Sequence, residues 1–205
     1  MRLPLPHTPN SGSFEAVLQA RRSVREFSPE PLSIAQAGQL LWAAQGITGT
    51  HGRTAPSAGG LFPLSITLVA GTVDDLEAGV YRYLPDEHRI DRTAAADLRP
   101  ALDAAAIGPQ PWLAAAALII VIAADLDRAV EHFADQHPNR QRGQRYVHIE
   151  VGHVAQNVYL QATACKLGAV FVGGFDDAAV RAIDPPPIAA GHQPLGLIAA
   201  GHILA

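Results

Sequence analysis

The sequence predicts a single domain of the α+β class. Apolar residues make up 48% of the 205 residues and charged residues 17%, a balance typical of a globular chain. Segments with helical periodicity are mixed with short apolar segments, and two of the latter flank Pro85-Asp86-Glu87 at the spacing of a hairpin. Because strands and helices are mixed and some strands are spaced as hairpins, we expect an α+β fold rather than a strict βαβ alternation.

Helices are predicted by apolar spacing and by residues that begin a helix. Ser33 and Gln36 match the capping-box pattern, which satisfies two free backbone N–H groups at the start of a helix. The predicted helices cover residues 13–21, 94–106, 125–133 and 146–167, with two more beginning at Ser33 and at Asp176.

The longest predicted helix, residues 146–167, carries apolar residues on several faces, so we expect it to be buried nearly all round. Its polar residues still align at helical spacing: Glu150, His153, Asn157 and Gln161. A buried polar group without a partner costs roughly 1–3 kcal/mol. These four side chains therefore require partners, which core groups, a second subunit or a ligand can provide.

Strands are predicted where apolar and β-branched residues cluster between turn residues: 64–70, 80–84, 88–91, 116–124, 169–172 and from 195 to 200. Residues 46–63 are predicted as a glycine-rich loop, and ordered loops of such length are often functional. Residues 1–12 are rich in proline and polar residues and predict an extended arm, which leaves residues 13–205 as the domain.

Composition excludes several classes of protein. A net charge of −4 argues against a general nucleic-acid binder, and the single cysteine, Cys165, excludes an intrachain disulfide. His148 and His153 are five residues apart on a predicted helix and face different ways, so we expect no metal site. Neither a signal-peptide pattern nor a bilayer-spanning apolar run is visible, so we expect a cytoplasmic protein without a membrane role.

The first candidate site lies directly after the first predicted helix. Arg21, Arg22 and Arg25 place three guanidinium groups within five residues of an acidic chain. Each guanidinium is a planar fork that can bind phosphate oxygens with two hydrogen bonds. In an extended segment Arg21, Ser23 and Arg25 would share one side and could bind an elongated anionic ligand. The alternative is a solvated charge cluster that stabilises the C-terminus of the helix.

Two further candidates are rich in small residues. Residues 56–59 (Pro56, Ser57, Ala58 and Gly59) would let the backbone approach a flat ligand closely. A serine-nucleophile turn is disfavoured there, because such a turn follows a strand and begins a helix, whereas here a strand follows. Gly173 and Gly174 come after a predicted strand and can direct N–H groups towards a ligand, or simply form a tight turn.

Taken together, these segments resemble the FMN-dependent nitroreductase-like superfamily, and within it the SagB-type branch of thiazole/oxazole-forming dehydrogenases. The matching stretches include RRSVREFSPEPLS, RTAPSAGGLFPL, RYVHIEVGHVAQNVYLQA and LGAVFVGGFDD, in the order of the family. The resemblance implies a nitroreductase-like fold, with a central mixed, mainly antiparallel sheet flanked by helices. It also implies an intertwined homodimer with two FMN molecules at its interface.

The resemblance assigns roles to the candidate residues. Arg21 and Arg22 would lie near the FMN phosphate and ribityl chain, and Ser23 and Arg25 towards the pyrimidine edge of the ring. Residues 56–59 would contact the flavin bound mainly by the other subunit. The remaining implied cofactor contacts are Gly173 and Gly174, near flavin N5 and O4, and His202, where many family members have a lysine or arginine. Arg145 and Tyr146 are the nearest match to the Lys–Tyr pair of SagB-type enzymes and are the predicted catalytic residues.

The implied activity is that of an FMN-dependent oxidoreductase that transfers hydride through flavin N5. Two reactions fit: dehydrogenation of a small-molecule or peptide heterocycle, as in SagB-type enzymes, or reduction of a nitro compound with NAD(P)H as the donor. The alternative is a non-catalytic flavin-binding or structural homologue with weakened FMN affinity, because His202 replaces the usual basic residue.

Overall fold

A computed structural model describes residues 1–5, 13–50, 52–136 and 139–204. Its helices are α1 (Phe14–Ala20), α2 (Ile34–Gln45), α3 (Arg99–Ala104), α4 (Trp112–Ala115), α5 (Leu126–His132), α6 (Arg142–Ala164) and α7 (Asp177–Ala182). Its strands are β1 (Ile47–Thr48), β2 (Gly52–Arg53), β3 (Leu64–Ala70), β4 (Gly79–Leu84), β5 (Arg89–Ala94), β6 (Leu118–Ala124), β7 (Leu167–Val172) and β8 (Gln193–His202).

A six-stranded sheet in the order β5-β4-β3-β6-β8-β7 forms the centre of the fold. Every neighbouring pair of its strands is antiparallel, so the predicted α+β class is confirmed and the sheet carries no parallel pair in the described chain. β6 pairs with β3 along its full length, from Leu64 opposite Ala124 to Ala70 opposite Leu118. β7 and β5 are the two edge strands, so one flank of β7 is open to other segments.

The sheet separates two apolar layers. Alternate residues of β6 point to opposite faces, so that Ile120 and Ile122 join the layer under α2 and α6, whereas Ile119 and Val121 join the layer under α3, α4 and α7. All seven residues of β6 are buried, which explains why its sequence is a continuous apolar run rather than an alternating one.

The capping box at the start of α2 is confirmed. The Ser33 hydroxyl accepts from the Gln36 backbone N–H at 3.2 Å, and the Gln36 side chain accepts from the Ser33 N–H at 2.8 Å. α6, which packs against α2, β7 and α5, is the longest helix of the described chain. The prediction that it is buried nearly all round is not met within one chain, because the face that carries Ile149 and Gly152 is exposed.

Two predicted boundaries are wrong. Residues 46–63 contain the short β1–β2 hairpin and a 3-10 turn, Ala58–Gly60. The alanine-rich stretch is helical only over α3, because Ala94 pairs with Val80 in the sheet, and sheet pairing outweighs the helix propensity of alanine. Residues 1–5 of the predicted arm run beside β5, where the Leu3 N–H donates to the His88 carbonyl at 2.9 Å; residues 6–12 lie outside the described residues.

Candidate functional site

Residues 21–25, called here the arginine segment, lie along the open edge of β7. The Val24 N–H donates to the Ala169 carbonyl at 2.9 Å, and a side chain at Gly168 would collide with Val24 at 2.6 Å. The Val24 side chain therefore packs inward on β7. The extended backbone places Arg21 and Ser23 on a shared side, where both contact the same tyrosine of α6.

That tyrosine, Tyr159, fixes the arginine segment to the sheet. Its hydroxyl oxygen accepts from the Phe171 N–H at 2.8 Å and shares a hydrogen bond with Ser23 Oγ at 3.0 Å. The guanidinium carbon of Arg21 lies 5.2 Å from the centre of the Tyr159 ring, within the range of a cation–π contact. One aromatic side chain thus orients two of the predicted cofactor-binding residues.

The other two arginines have different surroundings. Arg22 is exposed and donates to the carbonyls of Gln19 and Arg21, both at 2.8 Å, so it stabilises the end of α1 as the helix-capping alternative anticipated. The exposed Arg25 guanidinium lies 5.4 Å from the centre of the Trp112 ring. The buried indole N–H of Trp112 has no acceptor among the described residues.

Gly173 and Gly174, called here the glycine pair, directly follow β7. The Gly174 carbonyl accepts from the Ile107 N–H at 2.8 Å and from the Gln110 side chain at 3.2 Å. Across the described chain, neither glycine N–H donates to a protein acceptor. A Cβ at Gly174 would meet nothing closer than 4.0 Å, so neither backbone conformation nor protein packing requires glycine there.

Residues 56–59, called here the proline loop, lie against α6. Gly59 has a φ of +59°, the left-handed conformation that glycine adopts without strain. The polar residues that the sequence aligned on α6 find their partners here and on α2. The Asn157 side chain donates to the Thr54 carbonyl at 2.9 Å, and His153 Nδ1 lies 3.4 Å from the Pro56 carbonyl. The Gln39 side chain donates to Gln161 at 3.2 Å.

Glu150 is the buried member of that polar stripe, with 2% of its surface exposed. Its carboxyl accepts from the Gln45 side chain at 3.1 Å and lines a crevice together with Ser57. Burial raises its pKa above the usual value, and this effect outweighs the opposing influence of Ser57, Gln45 and the nearby Arg53. The Arg53 guanidinium also donates to Gln45 at 3.0 Å and lines an open pocket of about 310 Å³ with Phe62 and Thr50.

The arginine segment and the proline loop lie on opposite sides of α6. Tyr159 follows Glu150 by nine residues, which at about 100° per residue separates the two side chains by about 180° around the helix axis and by about 13 Å along it. Between them runs the exposed face with Ile149 and Gly152. The two predicted halves of the site are therefore not in contact within one chain.

The remaining predicted residues are more scattered. Tyr146 lies on the Glu150 side of α6, where it lines a narrow crevice with Ser57 and Ala58, and its hydroxyl donates to Gln136 at 2.8 Å. Arg145 is exposed and is not brought to that crevice. His202 pairs with Leu167 at the start of β7. The glycine pair begins six residues further along, roughly 20 Å away at about 3.3 Å per residue.

Sequence reasoning missed several residues that organise this site: Tyr159, Gln110, Trp112 and Gln45. In the sequence, Tyr159 lies on the predicted helix but outside its polar stripe. Nothing in the sequence indicates that its hydroxyl contacts Ser23, 136 residues away, and the Phe171 N–H. Gln45 is fully buried, which sequence reasoning does not predict for a polar residue at the end of a helix. No group of His, Cys, Asp and Glu in the described ranges is arranged to hold a metal ion, and none of the helices there is long and apolar enough to cross a membrane.

Comparison with known proteins gives consistent results. The model of the Nitroreductase family matches residues 18–202. Two similar proteins carry the name "putative nitroreductase". One, from Methanocaldococcus jannaschii, is 44% identical over 171 residues, which are 83% of each chain. The other, a crystal structure from Ralstonia eutropha JMP134, is 28% identical with a TM-score of 0.79 and covers 99% of this chain and 89% of its own.

A third similar structure is the McbBCD microcin synthetase of Escherichia coli with truncated pro-MccB17 bound. It is 22% identical with a TM-score of 0.74, over 100% of this chain and 77% of the other, and this likeness concerns the fold. Because the family model spans nearly the whole chain and a relative is 44% identical over 83% of it, the chain belongs to the nitroreductase family.

Proposed function

We propose that the protein is an FMN-dependent oxidoreductase that works as a homodimer, with each FMN bound between two copies of the chain. The observation that carries this proposal is the position of the two half-sites, the arginine segment and the proline loop, on opposite sides of α6. A single chain cannot bring both to one ligand, whereas a second copy packed on the exposed face between them can supply the missing half. Ile149 on α6 and Phe14 on α1 are exposed apolar side chains on the single chain, which favours such packing.

The residues present fit a phosphorylated flavin. Arg21 and Arg25 provide positive charge, and the glycine pair provides two N–H groups that have no acceptor among the described residues. The indole N–H of Trp112 is a further buried donor without a protein partner. A buried donor without a protein partner favours a bound acceptor, because burying it unpaired costs free energy.

FMN, when bound, supplies a ring that accepts and donates hydride at N5. The chain's own residues bind and orient it. Arg21 and Arg22 would hold the phosphate end, and the donors of the glycine pair would lie at N5 and O4. Arg25 would place positive charge beside the pyrimidine edge, which stabilises a reduced, anionic ring. The proline loop of the second copy would cover the ring and exclude water.

We propose reduction of a nitro compound or quinone, with NAD(P)H as the donor, as the reaction. The name of the 44% identical relative supports this choice. The second candidate is SagB-type dehydrogenation of a small-molecule or peptide heterocycle. It is favoured by Tyr146, which lines a crevice with Ser57 and Ala58 in the proline loop. Arg145, the expected partner of Tyr146, is exposed and argues for the first candidate.

An absorbance spectrum of the purified protein before and after anaerobic addition of NADH or NADPH tests the proposal. A yellow dimer that is bleached by either nucleotide supports the nitroreductase reaction. A yellow dimer indifferent to both supports the heterocycle dehydrogenase. A colourless protein that rejects added FMN refutes both and supports the non-catalytic homologue.

A further inference from the structure

The glycine pair is held by the segment that joins α3 to α4. Residues 105–107 of that segment run antiparallel to residues 174–176. The contact at the pair itself is a hydrogen bond of 2.8 Å from the Ile107 N–H to the Gly174 carbonyl. Just beyond it, the Asp176 N–H donates to a carbonyl of the joining segment, also at 2.8 Å. The backbone that follows the glycine pair is therefore fixed.

The side chain of Gln110, in the same joining segment, holds the same carbonyl. Its Nε2 lies 3.2 Å from the Gly174 oxygen and 3.3 Å from the Ile107 oxygen. Both neighbours are carbonyl oxygens, which accept but cannot donate, so the amide presents its NH2 group to them, with one hydrogen for each. Gln110 therefore ties the joining segment to the turn after β7, across 64 residues of sequence.

The turn at the glycine pair depends on these donors. The Gly174 oxygen accepts from the Ile107 N–H and from the Gln110 amide, which uses both of its lone pairs. Glycine has more backbone freedom than any other residue, so two in succession form a turn whose direction is set by the groups that bind it. Among the described residues, Gln110 is the one side chain that hydrogen-bonds to the pair.

The fold itself does not explain why residue 174 is glycine. Gly174 is not among the glycines with a positive φ, and a Cβ there would meet only Gln110 and Ile107, both at 4.0 Å. Glycine at this position therefore serves something other than backbone conformation or packing. Close approach of a ligand to the backbone is a common reason for such a glycine.

We propose that Gln110 is a positioning residue for cofactor binding: by holding the Gly174 carbonyl, it directs the N–H groups of the glycine pair towards flavin N5 and O4. This inference rests on the proposed function, which places FMN against those amides. It gives Gln110 no contact with FMN or with the substrate. A side chain that only joined two segments would stabilise the fold without changing how the amides bind the ring, and this difference can be measured.

Two variants remove the hydrogen bonds of Gln110. Gln110→Met keeps the length of the side chain without a donor, and Gln110→Glu keeps its shape but presents a carboxylate to two carbonyls. We expect the dissociation constant for FMN to rise about five-fold in the first and further in the second, since one net hydrogen bond is worth roughly that factor. FMN fluorescence measures the constants.

Gln36→Met is the matched control. Gln36 is also a half-buried glutamine whose side chain hydrogen-bonds to the backbone, here to the Ser33 N–H at the start of α2. We expect this variant to lose stability comparable to that lost by Gln110→Met and to keep the FMN affinity of the parent.

The amides give a readout that a purely structural role would not change. In protein with isotope-labelled glycine and saturated with FMN, we expect the Gly173 and Gly174 N–H groups to exchange slowly in the parent and in Gln36→Met, and faster in Gln110→Met. Combining Gln110→Met with Gly174→Ala should weaken binding little more than Gly174→Ala alone, because both changes act on the same amide.

Three results overturn the proposal: unchanged FMN affinity in both Gln110 variants, equal protection of the glycine amides at saturating FMN, or effects that multiply in the double variant. Multiplying effects would mean that Gln110 acts on FMN by another route. A parent protein that binds no FMN refutes the proposed function, and this inference falls with it. A parent that binds FMN no better than the Gln110 variants refutes the inference alone.

Discussion

Replacing Tyr159 with phenylalanine tests the half-site on β7. The change removes one oxygen atom, which at present accepts from the Phe171 N–H at 2.8 Å and bonds Ser23 Oγ at 3.0 Å. Ser23 is exposed and can bond to water, so its loss costs little. The Phe171 amide is partly buried, and leaving it without an acceptor costs about 1–2 kcal/mol.

For a chain of this size we expect the melting temperature of the FMN-free Tyr159→Phe protein to fall by roughly 2–8 °C. FMN affinity falls as well, because Ser23 loses the hydroxyl that orients it, although the bond from the Val24 N–H to Ala169 still holds the arginine segment on β7. Circular dichroism gives the melting temperature and FMN fluorescence gives the affinity.

Tyr83→Phe is a matched control at the far side of the sheet. Its hydroxyl, on a side chain that is 4% exposed, hydrogen-bonds to His88 Nδ1 at 2.9 Å. We expect this variant to lose comparable stability and to keep its FMN affinity. The reasoning is refuted if Tyr159→Phe binds FMN as tightly as the parent, or if Tyr83→Phe weakens binding equally.

Two further predictions concern the glycine pair and the turn between β4 and β5. Gly174→Ala leaves the melting temperature of the FMN-free protein unchanged, since its Cβ meets nothing closer than 4.0 Å. We expect the same variant to weaken FMN binding, because the added methyl group lies beside the amide proposed to bind the cofactor; an affinity equal to that of the parent would contradict this prediction. Burial lowers the pKa of His88 below its usual value, and the neutral ring bonds both the Pro4 carbonyl and the Tyr83 hydroxyl at 2.9 Å. The unfolded chain takes up the proton more readily, so the free energy of unfolding falls as the pH drops below about 6.5. Urea titrations between pH 7.5 and 5 should show this slope in the parent and a smaller one in His88→Gln.

Local sequence signals predicted the elements of this fold well. The capping box of Ser33 and Gln36, the β3 strand at residues 64–70 and the start of a helix at Asp176 all depend on neighbouring residues and were correctly predicted. The polar stripe on α6 was recognised as needing partners. The identity of those partners, mostly carbonyls and side chains about a hundred residues away, followed only from the structure.

The errors share a physical cause. Ala94 has a high helix propensity, but its pairing with Val80 across the sheet decides its conformation. The arrangement of the site could not be predicted either, because it also depends on contacts between residues far apart in the sequence. The contact of Tyr159 with Ser23, 136 residues apart, and the positions of the two half-sites on opposite sides of α6 depend on how elements pack, which periodicity does not encode.

The position of the half-sites leads to a last prediction, about the exposed face of α6. Ile149 is 49% exposed on the single chain and lies between the side that holds Glu150 and the side that holds Tyr159. A charge there should change the folding free energy of one chain by no more than about 0.5 kcal/mol, because surface substitutions rarely do more. At a dimer interface the same charge would be buried without a partner, which is strongly unfavourable.

We therefore expect Ile149→Arg to sediment as a folded monomer with a nearly normal circular dichroism spectrum and to lose FMN. Ala95→Arg, at an exposed position beyond β5 on the other edge of the sheet, should remain a dimer that binds FMN. A monomeric Ile149→Arg protein with unchanged FMN affinity would mean that one chain completes the site alone. That result is incompatible with half-sites on opposite sides of α6, because no side chain of the arginine segment can reach around the helix to the proline loop.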